Sequence, residues 1–280
     1  MLVVAAGLVA AGAGFRALAL ALPGGATRAR LYLGRMTRPV ALVDLARFVV
    51  GLTLVSWSYS WLKVFVPHLN GWITDPLLAA LDMGIHFGVN PNRFLIELFP
   101  SPVLWRVVDV VYAQFLPTMG VAFAWFGSAP AVRDRARFAA GFALLWIAGS
   151  WLYVAAPSMG PCYVFPEDYA AVRPEMPLQA GTQRLLLVQY DAVTKGSRAL
   201  AATGLNAAFG IGAMPSLHVA GQAFVALFAR RRHPRLAFAF GLLAALTFAG
   251  SLMTGWHYAV DGYAGVLLAV CAWRLGERIV

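Results

Sequence analysis

The chain has 280 residues, of which 60% are hydrophobic and only 12% are charged, and its mean hydropathy is positive. This composition excludes a water-soluble globular protein and predicts an integral membrane protein. The net charge of +10 at pH 7 does not indicate nucleic-acid binding, because the basic residues cluster in alternate connections between apolar runs. We therefore expect the lipid bilayer as a partner, and no nucleic acid.

Long apolar runs predict the membrane-spanning helices. Each has about the 20 residues that a helix needs to cross a bilayer, and their continuous apolarity is unlike the alternation of a β-barrel. The run at 2–22 has the features of an amino-terminal anchor rather than of a cleaved signal peptide. Six further runs are 44–66, 103–127, 137–156, 212–229, 236–254 and 258–275. The predicted fold is an all-α transmembrane bundle of six or seven helices, forming one catalytic domain (1–280) with a core of about 44–275.

The arginine-rich connections predict the topology. They lie before the second apolar run, at 133–137, at 230–235 and at the carboxyl end, and the positive-inside rule places them all in the cytoplasm. The long segments 67–102 and 157–211 then face the extracytoplasmic side. The abundance of Ala, Arg and Gly suggests a bacterial source with a GC-rich genome, and hence the bacterial cytoplasmic membrane as the location.

Both outer segments have sequence features of their own. The segment 67–102 mixes apolar with charged residues and favours short interfacial helices. The segment 157–211 begins with several prolines and is expected to be irregular there, whereas 182–200 is amphipathic and predicts a helix over the bundle. We predict no disulfide, because Cys162 lies in an outer loop and Cys271 within the last span.

Ionisable residues mark one place on the outer side. His257 and Asp261 are four residues apart, so on a helix they share a face and the carboxylate can accept a hydrogen bond from the ring. His218 begins another helix at the same outer end. Charge at membrane depth costs on the order of 3 kcal/mol and usually marks function. We therefore expect these three residues to form one site.

Two chemistries fit two histidines and a carboxylate. The three residues resemble the ligands of a facial metal triad. Alternatively, one imidazole attacks phosphorus to form a phosphohistidine and the other protonates the leaving oxygen. A non-catalytic lipid-binding or transport protein would instead place ionisable residues along a pathway at mid-bilayer, and the cluster lies near one face.

Two motifs resemble a known family. "PSLH" (215–218) and "HYAVD" (257–261) are similar to the second and third signatures of the type 2 phosphatidic acid phosphatase superfamily, whose enzymes use no metal. The resemblance implies that His257 is the nucleophile, that Asp261 orients it and that His218 is the general acid. It also implies that no cofactor is needed.

The sequence departs from the classical phosphatases of that superfamily at two signatures. Their first signature is Lys, six residues, then Arg-Pro; here Arg173 precedes a proline, but Pro166 stands at the lysine position. Their third signature begins Ser-Arg, and here those positions are Gly250 and Ser251. Two cations that would clamp a phosphate are therefore absent.

Other residues are candidates for binding the phosphate or the rest of the substrate. A phosphodiester anion needs positive charge and hydrogen-bond donors around it, and a helix mouth supplies free backbone N–H groups. The candidates are Pro215 and Ser216 at the helix mouth, the outer cations Arg173, Lys195 and Arg198, and the hydroxyl donors Tyr163 and Tyr258.

The motif variants resemble most the inositol phosphorylceramide synthase branch of the superfamily. Weaker similarity to this branch occurs at 81–95, 108–117 and 156–169. The resemblance implies transfer of a phospho-headgroup, such as phosphoinositol, from a phospholipid donor to a lipid or polyol acceptor through a phosphohistidine. The alternative is a phosphatase that hydrolyses phosphatidate-type or polyprenyl phosphates.

Overall fold

The computed structural model describes residues 2–195 and 210–280, and within them the regular structure is helical. The helices in chain order are α1 (Leu2–Met36), α2 (Pro39–Leu69), α3 (Asp75–Ile85), α4 (Pro91–Leu98), α5 (Pro102–Ala113), α6 (Phe115–Gly127), α7 (Val132–Ala155), α8 (Pro161–Val164), α9 (Pro177–Lys195), α10 (Leu217–Ala229), α11 (Pro234–Met253) and α12 (Ala259–Ile279).

Five helices in the described ranges are long and apolar enough to cross a membrane: α1 (over Leu2–Leu22), α2, α7, α11 and α12. The count is six when α5 and α6 are taken as a single span that is bent by 40°. The bend has a sequence cause, because Pro117 has no N–H to donate to the carbonyl of Ala113, four residues earlier. The prediction of an all-α membrane bundle is confirmed.

The predicted span at 212–229 is shorter than expected. Its helix, α10, begins only at Leu217 and has 13 residues, which at 1.5 Å per residue gives roughly 20 Å and not the ~30 Å of a bilayer core. Residues 210–216 approach this helix as non-helical chain. The glycine and proline of the motif "GAMPSLH" therefore form the entrance to a helix and not its first turns.

The outer segments contain short helices. The segment 67–102 holds α3 and α4, and 157–211 begins with α8 and two short 3₁₀ turns, Pro166–Tyr169 and Arg173–Glu175. The predicted amphipathic helix is α9, which begins earlier than expected and buries three glutamines beside Leu186: Gln179, Gln183 and Gln189. Residues 196–200 of the predicted helix lie outside the described residues. Leu185 and Val188 are exposed on the same helix.

The chain forms two compact units. Unit 1 comprises Met1–Ser56, Leu116–Leu144 and Cys271–Val280, and unit 2 comprises Trp57–Phe115 and Leu145–Val270. In unit 1, Phe138 is fully buried and stacks on Phe126 with ring centroids 4.6 Å apart. The buried Arg135 lies 3.9 Å from the carboxylate of Asp44 in the same unit. The predicted site residues that the structure describes are all in unit 2, and the single catalytic domain of 1–280 stays a prediction.

Candidate active site

His218, His257 and Asp261 come together in unit 2. His218 is the second residue of α10, His257 lies in the turn between α11 and α12, and Asp261 is in the first turn of α12. The two imidazole rings are nearly perpendicular, at 60°, with centroids 5.9 Å apart. His257 Nδ1 lies 3.4 Å from Asp261 Oδ2, and only 3% of the His257 side chain and none of the Asp261 side chain is exposed.

The hydrogen bonds of His257 decide which ring nitrogen carries the proton. Nδ1 lies 2.9 Å from the carbonyl oxygen of Ala213, and because a carbonyl can only accept, Nδ1 is the donor. The lone pair is then on Nε2, at the far side of the ring. Burial, followed by the nearby positive charge of Lys63, lowers the pKa of His257 to about 3. His257 is therefore a neutral imidazole with Nε2 available for attack.

Asp261 accepts two backbone hydrogen bonds in addition to lying beside His257. Its Oδ2 accepts a hydrogen bond from the backbone N–H of Tyr258 at 2.9 Å, which fixes the turn that carries His257. Its own backbone carbonyl accepts from the N–H of Ser216 at 2.9 Å, so the two motifs are joined directly. The sequence predicted the shared face of His257 and Asp261 but not this bond between the motifs.

Ser216 and Pro215 shape the entrance to α10. Ser216 Oγ accepts from the backbone N–H of Val219 at 3.5 Å and caps the helix, and both Pro215 and Ser216 are buried. A Cβ on Gly265 of α12 would lie 2.5 Å from the carbonyl oxygen of Ser216. Only glycine therefore allows α12 to approach this closely, at the point where the Ser216 N–H donates to the carbonyl of Asp261.

Buried aspartates around the site were not among the predicted residues. Asp82 accepts from the backbone N–H groups of Ala259 and Val260, at 2.7 and 2.9 Å, and so caps the amino end of α12. Asp75 accepts in the same way from Met159 and Gly160, at 2.8 Å each. Each carboxylate uses both oxygens on two consecutive amides, which fixes the position of the segment that it holds.

The same arrangement occurs at α9. Asp109 accepts from the backbone N–H groups of Leu178 and Gln179, at 2.9 and 2.8 Å. The signal in the sequence was an acidic residue within an apolar stretch. A carboxylate in such surroundings is energetically costly unless it accepts hydrogen bonds. The similarity at 81–95 and 108–117 covers Asp82 and Asp109, but it assigned no task to either.

The turn before His257 is held from several sides. Asn92 Nδ2 donates to the carbonyls of Leu252 and His257 at 3.0 Å each, and Gln183 Nε2 donates to the carbonyl of Thr254 at 2.8 Å. Gly255 has φ +76°, and a Cβ there would lie 2.7 Å from the ring of Tyr169. These contacts pack the two outer segments onto the turn that carries His257.

Lys63 is a cation at the site that the sequence interpretation missed. It lies on α2, and its Nζ is 4.9 Å from the ring centroid of Tyr153 and 5.8 Å from that of Tyr59. A Cβ built on Gly212 would lie 3.1 Å from Lys63 Cε, so the lysine packs against the entrance to α10. A single lysine inside the apolar run 44–66 was the available signal.

The predicted outer cations have other surroundings. Lys195 is paired with Asp191 at 3.1 Å and its side chain is 75% exposed. Arg173 Nη2 donates to the carbonyl of Cys162 at 3.2 Å. Arg198 lies outside the described residues. The expectation that one of these binds the phosphate therefore gains no support from the contacts of Lys195 and Arg173.

The hydroxyl groups of both candidate tyrosines already have protein partners. Tyr258 is buried and donates to Asp75 Oδ1 at 3.1 Å, and Tyr163 donates to the carbonyl of Gln183 at 3.0 Å. Tyr258 therefore joins the turn before α12 to α3, and Tyr163 bonds within its own outer segment, while a substrate contact of either hydroxyl stays a prediction. Within residues 2–195 and 210–280, no three His, Cys, Asp or Glu side chains form a group suited to a metal ion.

Comparison with protein families decides the assignment. The model of the PAP2 superfamily matches residues 77–275, a stretch that contains both histidine motifs. The chain belongs to the PAP2 superfamily. Members of this superfamily are phosphatases and phosphotransferases, so the chain is a membrane enzyme that acts on lipid phosphate groups. The matched residues begin after α1 and α2, so Lys63 lies outside the match. Neither the curated proteins nor the solved structures contain a significant match.

Proposed function

We propose that this PAP2 enzyme transfers a phospho-headgroup from a phospholipid donor to the hydroxyl group of a lipid or polyol, through a phosphohistidine on His257. The observation that carries the proposal is the hydrogen bond from His257 Nδ1 to Ala213, beside Asp261. It leaves a neutral Nε2 as the nucleophile. His218, whose ring centroid is 5.9 Å away, is close enough for one phosphoryl group to contact both rings.

The reaction proceeds in two balanced steps. His257 Nε2 attacks phosphorus and forms a P–N bond, while the P–O bond to the diacylglycerol breaks. His218, which is protonated when the anionic phosphate binds beside it, gives its proton to the departing oxygen. In the second step the acceptor hydroxyl attacks phosphorus and gives its proton to His218. The P–N bond breaks and returns its electron pair to Nε2. No metal or cofactor enters either step.

Transfer is favoured over hydrolysis by the surroundings of the nucleophile. His257 and Asp261 are almost completely buried. The outer segments pack over the turn between α11 and α12, which carries His257. A phosphohistidine beneath these outer segments is protected from water, and an acceptor that displaces the segments can reach it. The positions at which the classical phosphatases carry a Ser-Arg pair are occupied by Gly250, where an added Cβ would lie 3.3 Å from Val108 Cγ1, and by the fully buried Ser251.

The substrates of the proposed reaction are membrane lipids. Phosphoinositol is the headgroup that the motif variants favour, and phosphatidylinositol would be the donor. The abundance of Ala, Arg and Gly favours a bacterial cytoplasmic membrane as the location, and the arginine-rich connections favour a site on the extracytoplasmic side. The acceptor would then be a bacterial lipid or polyol.

The test uses the full-length protein in liposomes that contain headgroup-labelled phosphatidylinositol and candidate lipid or polyol acceptors. We expect a labelled acceptor product and stoichiometric diacylglycerol in the mass spectrum. His257→Gln should abolish both, and the wild-type protein should yield an acid-labile phosphohistidine peptide. A matched control is His233→Gln, since His233 lies before α11 in another connection.

Two results would overturn the proposal. Release of free phosphate or of free headgroup phosphate as the sole product would make the enzyme a hydrolase. Full turnover by His257→Gln would refute the phosphohistidine itself.

A further inference from the structure

Lys63 is a membrane-embedded cation without an acidic partner. Among residues 2–195 and 210–280, no carboxylate oxygen lies within 4.0 Å of its ammonium group. The stretch 196–209 contains no Asp or Glu, so it cannot supply one. The contacts of the ammonium group are instead the faces of Tyr59 and Tyr153.

The position of Lys63 connects it to both histidines. Its charge acts on the rings of His218 and His257, and its side chain packs beside Gly212, one residue before the carbonyl that accepts from His257. Two aromatic faces can hold an ammonium group in one direction. They compensate its charge less well than a carboxylate would.

We propose that Lys63 binds a nonbridging oxygen of the phosphoryl group while the group is attached to the donor, to His257 and to the acceptor. This rests on the proposed function and adds a cation to it. An unpaired positive charge in an apolar helix is costly, and an anionic substrate at the two histidines removes that cost when it binds. The ammonium charge then stabilises the transition state, in which negative charge is spread over the phosphoryl oxygens.

The family motifs of this chain lack the cations of the classical phosphatases. The lysine position of the classical first signature is Pro166, and the arginine position of the third is Ser251. Lys63 comes from α2, which lies outside the match to the PAP2 superfamily. A cation from a different helix therefore replaces one that the motifs would have provided.

The experiment compares Lys63→Met and Lys63→Arg with the wild-type protein in liposomes. We expect Lys63→Met to lower kcat/KM for the phospholipid donor by about 10²–10³, the usual effect of removing one group that stabilises a developing negative charge. Lys63→Arg keeps the charge and should retain part of the activity. Arg47→Met removes an exposed, ion-paired cation from the same helix and serves as the matched control, with unchanged turnover.

A second measurement separates binding from structure. Orthovanadate, a phosphate analogue, should raise the unfolding midpoint of the wild-type protein in detergent and should shift that of Lys63→Met much less. Without ligand, Lys63→Met should unfold at the same temperature as the wild type or higher, because an unpaired charge has been removed. A lowered midpoint with an undiminished vanadate shift would show a packing role and overturn the inference.

The two proposals can fail separately. Wild-type turnover in Lys63→Met, with His257→Gln inactive, would refute the role of Lys63 and leave the phosphohistidine mechanism standing. Turnover in His257→Gln would refute the mechanism, whatever Lys63→Met does.

Discussion

The two compact units compensate buried charge in different ways. In unit 1, buried Arg135 faces an opposite charge, the carboxylate of Asp44. In unit 2, the buried carboxylates of Asp75, Asp82 and Asp109 each accept from two backbone N–H groups. An ion pair neutralises charge, whereas a two-amide cap also fixes the chain segment that donates. Polar substitutions in unit 1 are therefore expected to change stability, and those in unit 2 to change the geometry of catalysis.

The strongest test of this comparison is the same substitution in both units. Asp261→Asn removes the negative charge beside His257 Nδ1 and puts an amide where Oδ2 accepts from Tyr258. We expect kcat to fall by about 10³–10⁴, as for other carboxylates that orient a catalytic histidine. Turnover in liposomes measures the loss, and the unfolding midpoint in detergent should change little.

Asp44→Asn is the counterpart in unit 1. It leaves buried Arg135 without its carboxylate, which is expected to cost about 3 kcal/mol or more of the free energy of unfolding. Turnover per folded molecule should stay within twofold of the wild-type value. The comparison fails if Asp44→Asn slows turnover as strongly as Asp261→Asn does.

A smaller effect is expected from Asp82→Asn. The amide keeps one oxygen acceptor for the end of α12 but turns its NH₂ group toward a backbone N–H. We expect a loss of about 1–2 kcal/mol of stability, typical of a lost helix cap, and a ten- to hundredfold lower kcat, because the helix that carries Asp261 shifts. Turnover and the unfolding midpoint of the same preparation measure both.

The matched variant for Asp82→Asn is Asp109→Asn, which disturbs the equivalent cap on α9. Since α9 carries none of the three proposed catalytic residues, its effect on kcat should be smaller at a similar loss of stability. Equal losses of kcat would show that the cap on α12 has no special part in positioning Asp261.

The sequence was sufficient for the membrane fold and for the three residues at the centre of the site. Apolar runs of helical length reveal spans because the bilayer imposes that length. The spacing of His257 and Asp261 reveals a shared face because the helix imposes its period. Both inferences depend on local rules, and local rules can be applied to one stretch of sequence at a time.

What the sequence did not reveal depends on contacts between distant segments. Asp82 caps a helix 177 residues away, and nothing local distinguishes it from a charged residue at the membrane surface. Lys63 lies within an apolar helix and not in an outer loop, and its sequence neighbours do not show that this helix packs beside the two histidines. The start of α10 at Leu217 was missed because hydropathy does not register a glycine and a proline at a helix entrance.

The smallest predicted effect is a pH dependence of stability that belongs to unit 2. The pKa of His257 is about 3 in the folded protein and 6.5 as an ordinary value, so below pH 6.5 the unfolded chain binds a proton that the folded protein does not. The contribution of His257 to the free energy of unfolding is thus constant above about pH 7 and decreases below 6.5, by roughly 1.4 kcal/mol per pH unit. Unfolding midpoints in detergent at pH 7.5 and 5.5 measure this change. His257→Gln should remove that part of the decrease. Asp44→Asn should keep it, because Asp44 lies in unit 1. An identical pH dependence in His257→Gln and wild type would show that His257 is not buried as a neutral ring.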